Sequence, residues 1–548
     1  MLRHEPEQQW HNALICKHSR ALPLHPPMRL SAVLEEGFEL LRWSVLAAST
    51  IGPGTVIVCS KAGADYALTL LWALVLASFV AYALQEGAAR LSLLGRTTLG
   101  RAMRTMWGGG ADATPGGCYA VAAGVLLGNT AYQANNFVGA AEALYALGAP
   151  RSDPGVRFLM HLACGLAVLG TLFFADVDRV SAGLGVVSVL MIVTFAFALS
   201  QLGLDGGELV LGLLPSKPPR GSGIVAVSMV ATTAIPFNAF LASCAAKPPD
   251  AGGSLGAAVS GMRRGVTLAT AIALVLSVLI VATGAGVARH VDDDGAFSVE
   301  SLVDALRAAE GGFAVACFGL GLYAAAFSSA LTVALGAALC CASLLAHDDD
   351  DRRWRQPDGP YTRGGIVFVV LVAVVVGSSG ASTVGVVLMA QVINGVLLPV
   401  VALCLVLCYN DPAVLRAPPP AFRNASQVAC FSATAFLATN GLLSKILSDD
   451  ASLDAAFVMA FLATAAVCVV LRRMRAAPRA SEVEMRPSAP SRAPESPSTA
   501  NPLRVRTDSD SDDDPQRRPS AETLEPMTPH EASRISSVFL EDDEDDVA

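Results

Sequence analysis

Gly52-Pro53-Gly54-Thr55 and Ile235-Pro236-Phe237-Asn238 each interrupt an apolar run of membrane-crossing length, residues 37–60 and 223–246. Proline removes an intrahelical hydrogen bond and glycine weakens a helix, so each interruption predicts a helix broken inside the membrane. Backbone groups freed in this way are tolerated in a bilayer only where protein covers them or where they line a cavity. Two readings follow: kinks absorbed by neighbouring helices, or two discontinuous helices facing one central site. Thr55, Thr232, Thr233 and Asn238 place polar groups beside the breaks and favour the second. The interrupted runs are the first and sixth of the chain. Those are corresponding positions of two inverted repeats, the pattern that marks a secondary transporter's centre.

The rest of the chain fits this frame. It has 548 residues, 53% hydrophobic and 16% charged, against roughly 25% charged in soluble domains. A single soluble domain is excluded. Apolar runs of about 20 residues, enough to cross about 30 Å of hydrocarbon as a helix, recur at 37–60, 66–94, 117–147, 156–174, 179–203, 223–246, 264–288, 312–346, 364–379, 383–408, 427–446 and 454–471. They predict an all-α polytopic membrane protein with about twelve transmembrane helices. The run 312–346 is long for one crossing, so it either tilts strongly or continues past the membrane.

Lys and Arg in the connections, including Arg96, Arg101, Arg104, Arg263, Arg264 and Arg352, concentrate on the side that also holds Arg472, Arg473 and Arg475. Positive residues are retained in the cytoplasm, so both termini are expected there. The sequon Asn424-Ala425-Ser426 then lies inside and stays unmodified. Residues 1–35 carry scattered charge and no apolar h-region, and read as a cytoplasmic segment rather than a signal peptide. Residues 36–473 form the membrane domain.

Residues 474–548 are rich in Pro, Ser, Arg, Asp and Glu, and have too little apolar surface to fold. This disordered tail holds nine Arg and no Lys against seventeen Asp and Glu, a balance of −8 out of the chain's −9. The acidity therefore belongs to the tail and says nothing about a pore. Ser509 and Ser511 precede an Asp run and Ser520 follows Arg517-Arg518-Pro519, so kinases are candidate partners of the tail; a purely solvating role is the other reading.

Most of the twelve cysteines lie inside apolar runs and read as small buried hydrophobes. No CxxC, HExxH or Walker A sequence is present, and no constellation of nucleophile, base and stabiliser appears, so an enzyme is the least expected class. No cofactor and no nucleic-acid partner are expected. The third run carries Asn129, Tyr132, Gln133 and Asn136 on one helical face with Asn135 beside them. Such a face either lines the pathway or hydrogen-bonds neighbouring helices. Gln391 and Asn394 repeat the pattern in the tenth run, and Ser328 and Ser329 in the eighth. Glu86 and Arg90, one turn apart, read as a structural pair near the interface.

Gly52-Pro53-Gly54-Thr55 with Ala62-Gly63-Ala64, Leu84-Gln85 and Ala88-Ala89-Arg90-Leu91 resembles the first two helices of the natural resistance-associated macrophage protein (NRAMP) divalent-metal transporters. Ile235-Pro236-Phe237-Asn238-Ala239-Phe240-Leu241 resembles that family's second broken helix, and Gln391-Val392-Ile393-Asn394-Gly395 its tenth. The resemblance implies a LeuT-type fold, two inverted five-helix repeats followed by extra helices, and secondary-active transport of metal cations. It also marks departures. The family's Asp and Asn ligands of the first break fall on Gly52 and Thr55, its Met ligand on Ile235, its His on Phe237, and the acidic pair linked to proton movement on Gln133 and Asn136.

A divalent cation stripped of water needs anionic or strongly dipolar ligands, and a thioether selects softer metals. The substrate site expected here is neutral: Gly52, Thr55, Ala234, Ile235, Gln391 and Asn394, with Asn129, Gln133, Asn136 and Asn238 lining the pathway. Cys59 and Cys244, near the two breaks, offer sulfur but read first as packing residues. Three functions remain in play: a transporter of a metal cation, a transporter of a small polar organic solute on the same fold, and a non-transporting membrane sensor signalling through its tail.

Overall fold

The computed structural model describes residues 51–109, 114–174, 206–249, 254–288, 297–346, 352–354, 359–415, 419–444 and 446–476, together with 193, 195–197, 199 and 417. Residues 1–35, the first half of the first run, most of the run 179–203, and the tail with Ser509, Ser511 and Ser520 lie outside the described residues.

The described elements are helices in this order: α1 (Pro53–Tyr66), α2 (Leu71–Gly95), α3 (Leu99–Met106), α4 (Gly116–Ala146), α5 (Pro154–Phe174), α6 (Gly206–Gly212), α7 (Gly223–Thr233), α8 (Pro236–Ala245), α9 (Leu255–Ala288), α10 (Val299–Leu345), α11 (Pro360–Ser378), α12 (Thr383–Asn410), α13 (Ala421–Leu443) and α14 (Asp449–Ala476). Eight stretches among them are long and apolar enough to span a membrane, with α7 and α8 counting as one.

Two departures from the expected boundaries have local causes. Helix α9 begins at Leu255 rather than 264 and carries Arg263 and Arg264 in its third turn, because arginine is a good helix former and does not end a helix. The long eighth run is preceded by a separate helical stretch that starts at Ser298, whose side chain caps Ser301 N at 3.0 Å. Gly311, with φ 81°, divides that stretch from the crossing that follows, and a positive φ is cheap only for glycine. The crossing itself continues unbroken from Gly311 to Leu345, 35 residues, so the long run is one helix that starts at this glycine.

Helices α1, α2, α7/α8 and α9 pack against one another, and α4, α5, α10 and α11 form a second group; α12 touches α1, α4 and α7 and so bridges them. Each group answers to part of both repeats, which places the two breaks face to face with the second group. Close backbone approach fixes α1 on α9. A side chain at Gly63 would strike the carbonyl of Val281, and one at Gly284 would strike the backbone of Ser60. Small residues permit such approach where the apolar effect cannot drive helices together.

The Glu86–Arg90 pair is deeper than expected. Arg90 has no exposed surface, its Nε donates to Glu86 Oε1 at 2.8 Å, and Arg423 Nη1 of α13 donates to the same oxygen at 3.0 Å. One carboxylate thus ties α2 to α13. Asn424 of the sequon sits in the first turn of α13 and accepts a 2.7 Å bond from Asn410 Nδ2. Its side chain is already engaged within the bundle.

Candidate functional site

Both breaks are built the same way. Pro53 and Pro236 occupy the first turns of α1 and α8, where their missing N–H groups cost nothing, and each proline pushes the preceding residue out of helical geometry. Gly52 is extended at φ −124°, ψ 177°, and Ile235 at φ −86°, ψ 132°. Helix α7 ends at Thr233, and Ala234 (φ −99°, ψ 79°) carries the chain across. Terminal carbonyls of α7 and the first amides of α1 and α8 therefore have no intrahelical partners.

Around the first break the side chains are polar and close. Thr55 Oγ1 lies 3.1 Å from Thr232 Oγ1 of α7. A Cβ on Gly54 would collide with the Gln391 amide of α12 and lie 3.1 Å from both Asn135 Nδ2 of α4 and Thr232 Oγ1. A Cβ on Gly52 would lie 3.1 Å from Ser329 Oγ of α10 and 3.5 Å from the Tyr132 hydroxyl. The Tyr132 hydroxyl faces Thr232 and Gln391 without a hydrogen bond of ordinary geometry. Both amide atoms of Gln391 and of Asn135, and the Ser329 hydroxyl, are buried without partners. Native interiors leave few buried polar groups unsatisfied, and each one calls for an explanation. Here six such atoms, from α4, α10 and α12, gather on one break beside the Thr55 and Thr232 hydroxyls of α1 and α7.

The second break differs. Ile235 and Phe237 are buried in an apolar cluster with Val230, Ala239 and Phe240. The Phe237 ring packs on Gly336 of α10, where a Cβ would come within 2.5 Å of it. Apolar packing fills the position that carries a histidine in the resembled family.

The expected site residues divide accordingly. Gly52, Thr55 and Gln391 meet at the first break, and Ala234 and Ile235 form the second. Asn394 is turned to another task, since its Nδ2 donates to Ala390 O at 2.9 Å and to Gly128 O at 3.2 Å, tying α12 to α4. Asn129 Nδ2 donates to Val333 O at 3.3 Å and ties α4 to α10. Gln133 and Asn136 are buried with both amide atoms unpartnered, and Asn238 is buried at the start of α8. Tyr132, Asn135, Thr232 and Ser329 belong to the convergent set although their sequence signal was only polarity, beside a break for Thr232 and within the third and eighth runs for the others. The groups named around the break carry no formal charge, and no group of three or more His, Cys, Asp or Glu able to hold a metal occurs among the described residues. Cys59 is buried in the apolar cluster of α1 and α9, and Cys244 is half-buried.

Two helices broken at corresponding positions around a buried polar centre, within a bundle of membrane-length helices, define a multi-pass membrane protein of the transporter class. A model of the natural resistance-associated macrophage protein-like family matches residues 44–446, most of the chain, and the protein belongs to that family. Among solved structures it is similar to the Eremococcus coleocola manganese transporter bound to an aromatic bis-isothiourea compound, at TM-score 0.60 and 16% identity over 82% of this chain and 95% of that one. It is also similar to MhsT in complex with L-phenylalanine, at TM-score 0.52 and 14% identity over 74% of this chain and 98% of that one. At these identities the likeness is one of fold, the LeuT type. No curated protein matches the chain.

Proposed function

We propose that the protein is a secondary-active transporter that alternates access around the two breaks and carries a metal cation in an electrically neutral site. Membership of the family supports the metal-ion class, and the manganese transporter of the same fold agrees with it. The observation that carries the finer reading is the set of unspent hydrogen-bonding groups of Gln391, Asn135, Tyr132 and Ser329 around Gly52–Thr55. Neutral oxygen donors suit a hard cation that keeps part of its hydration shell, whereas bare Mn or Fe calls for anionic or sulfur ligands. Coordination falls to the backbone carbonyls at the end of α7 near Ala234, to Thr55 Oγ1 and to Gln391 Oε1, while the Gly52 carbonyl accepts from the amides of Thr55 and Val56. The amide and phenol donors then bond shell waters. Both termini are cytoplasmic in this reading, and no enzymatic step takes part.

Proteoliposome uptake tests it. Magnesium flux is expected to exceed manganese flux, and Thr55→Ala combined with Gln391→Ala is expected to cut it at least about tenfold, the worth of one lost ligand set. Unchanged flux in the double variant overturns the site. The unspent donors, Gln391 Nε2, Asn135 Nδ2 and the Tyr132 hydroxyl, also fit a small polar solute rich in acceptors. Thermal stabilisation in nanodiscs across Mg, Mn, Na and amino-acid panels separates the two readings, since only a bound ligand stabilises the folded state.

A further inference from the structure

A second polar cavity, of about 570 Å3, lies away from the breaks where α1, α4, α5 and α12 approach one end of the bundle; Lys61, Glu142, Arg151, Arg157, His161 and Thr383 line it. Most of its charge is spent. Lys61 Nζ bonds Asp65 Oδ2 at 2.6 Å. Arg151 grips Glu142 with both amino groups, at 2.8 and 3.2 Å, and lies 3.9 Å from Glu300. Glu142 also accepts from Thr383 Oγ1 at 2.7 Å.

Two groups are left over. The Arg157 guanidinium has no ion pair or hydrogen bond among the described residues, and its Nε is buried without a partner. It lies against Gly380, whose Cβ would be 3.1 Å from Nη2. His161, one turn later on α5 and only 2% exposed, has its Nδ1 2.7 Å from the Arg157 carbonyl. A carbonyl only accepts, so Nδ1 carries the proton and Nε2 of the neutral ring presents a lone pair; that nitrogen is buried and unpartnered. The first turn of α12, Ser382 to Gly385, also faces the cavity and adds the positive end of a 28-residue helix.

A neighbouring cavity of about 330 Å3 shares Ala141 and His161 with the first and is otherwise apolar, lined by Phe137, Leu144, Met160 and Tyr323 among others. A free guanidinium asks for a carboxylate, an imidazole lone pair for a donor, and the adjoining pocket for an apolar group.

We propose that these two cavities form one binding site for a small organic carboxylate that carries a hydroxyl beside the carboxylate and an apolar side group. Arg157 takes the carboxylate, His161 Nε2 accepts from the hydroxyl, and the side group enters the apolar pocket. The site is separate from the breaks and stands whether or not the cargo reading does.

The test is calorimetric titration of the full chain in nanodiscs with 3-phenyllactate, 3-phenylpropionate and 2-phenylethanol. Removing the hydroxyl is expected to weaken binding about threefold and removing the carboxylate at least about tenfold. Arg157→Gln is expected to bring phenyllactate down to the level of phenylethanol. His161→Leu is expected to abolish the preference for phenyllactate over phenylpropionate while leaving the carboxylate preference in place. Equal binding of phenyllactate and phenylethanol to the native chain, or undiminished binding to Arg157→Gln, overturns the proposal; the ligand series on the native chain decides it even if a variant fails to fold.

Discussion

The two breaks share a backbone and differ in most of what is attached to it. Each opens on an extended residue followed by proline, in corresponding helices of the two repeats. The first is surrounded by amides and hydroxyls with bonding capacity unspent, whereas the second is covered by Ile235, by Phe237 on Gly336 and by their apolar neighbours. A pseudo-symmetric fold therefore supplies two equivalent places for exposed backbone, and the unspent polar side chains gather mainly at one. Phe237 closes the second break with packing, and on the proposed reading selection falls to α4, α10 and α12.

The asymmetry is broken or sustained most sharply by filling each break in turn. Gly54→Val inserts carbon where the Gln391 amide already stands, with Asn135 and Thr232 close by. Uptake is expected to fall about a hundredfold, because misplacing groups by about 1 Å around a reacting or bound centre costs that much. Phe237→Leu, which trims the second break without reaching the first, is expected to change uptake far less, because the ring packs on Gly336 and away from the polar groups of the first break. Equal losses in the two variants would make the breaks equal partners.

Packing at the second break gives the next effect. A methyl on Gly336 meets the Phe237 ring at 2.5 Å, and overfilling a packed core costs about 1–3 kcal/mol. Gly336→Ala is expected to lower unfolding stability by about 2 kcal/mol on that scale. Combined with Phe237→Leu it should recover most of the loss, since residues in direct contact are not additive. Denaturant titration in nanodiscs reads both. Absence of rescue would show that the ring is not what the methyl strikes.

The breaks were legible in the sequence because proline and glycine act locally: Pro53 and Pro236 dictate their own geometry and that of the residue before them. Partner choice is not local. Asn394 and Gln391 sit three residues apart on one helix and look alike in sequence, yet Asn394 bonds the carbonyls of Ala390 and Gly128 while Gln391 stays unpartnered over Gly54. Only the register of α12 against α4 separates them. Asn135 and Ser329 were visible as polar residues but came to the site through the packing of α4 and α10 on α1. Neither Arg157 nor His161 carries a local sequence signal, since the helices and the cavity that isolate them come from distant segments.

Unspent amides make the first break a place where function and stability oppose each other. A buried polar group without a partner carries its desolvation cost, about 1–3 kcal/mol. Gln391→Leu, similar in volume, is expected to raise unfolding stability by about 1 kcal/mol on that basis while uptake falls. The matching change at the second break, Ile235→Val, removes one buried methylene and is expected to lower stability by about 1 kcal/mol with little effect on uptake. If Gln391→Leu destabilises instead, the amide has partners in the resting protein and the first break is a packed joint like the second.

The smallest effect concerns protons. The side chains named around the first break are Thr55, Tyr132, Asn135, Thr232, Ser329 and Gln391, and the second presents Ile235, Phe237 and Asn238. None carries a carboxyl or an imidazole, the groups that exchange protons readily near neutrality. The polar face of α4 offers Gln133 and Asn136, which do not titrate. Uptake measured in proteoliposomes is thus expected to vary less than about twofold between about pH 6 and pH 8. An inward proton gradient should give no accumulation beyond that of the cargo's own gradient. The assay is run without organic carboxylates, so that the His161 cavity does not contribute. Replacing Phe237 by histidine sharpens the result: if an imidazole at the second break introduces pH dependence while the native chain shows none, apolar packing at that break is what separates this transporter from proton exchange. Gradient-driven accumulation by the native chain would instead place a proton carrier outside both breaks.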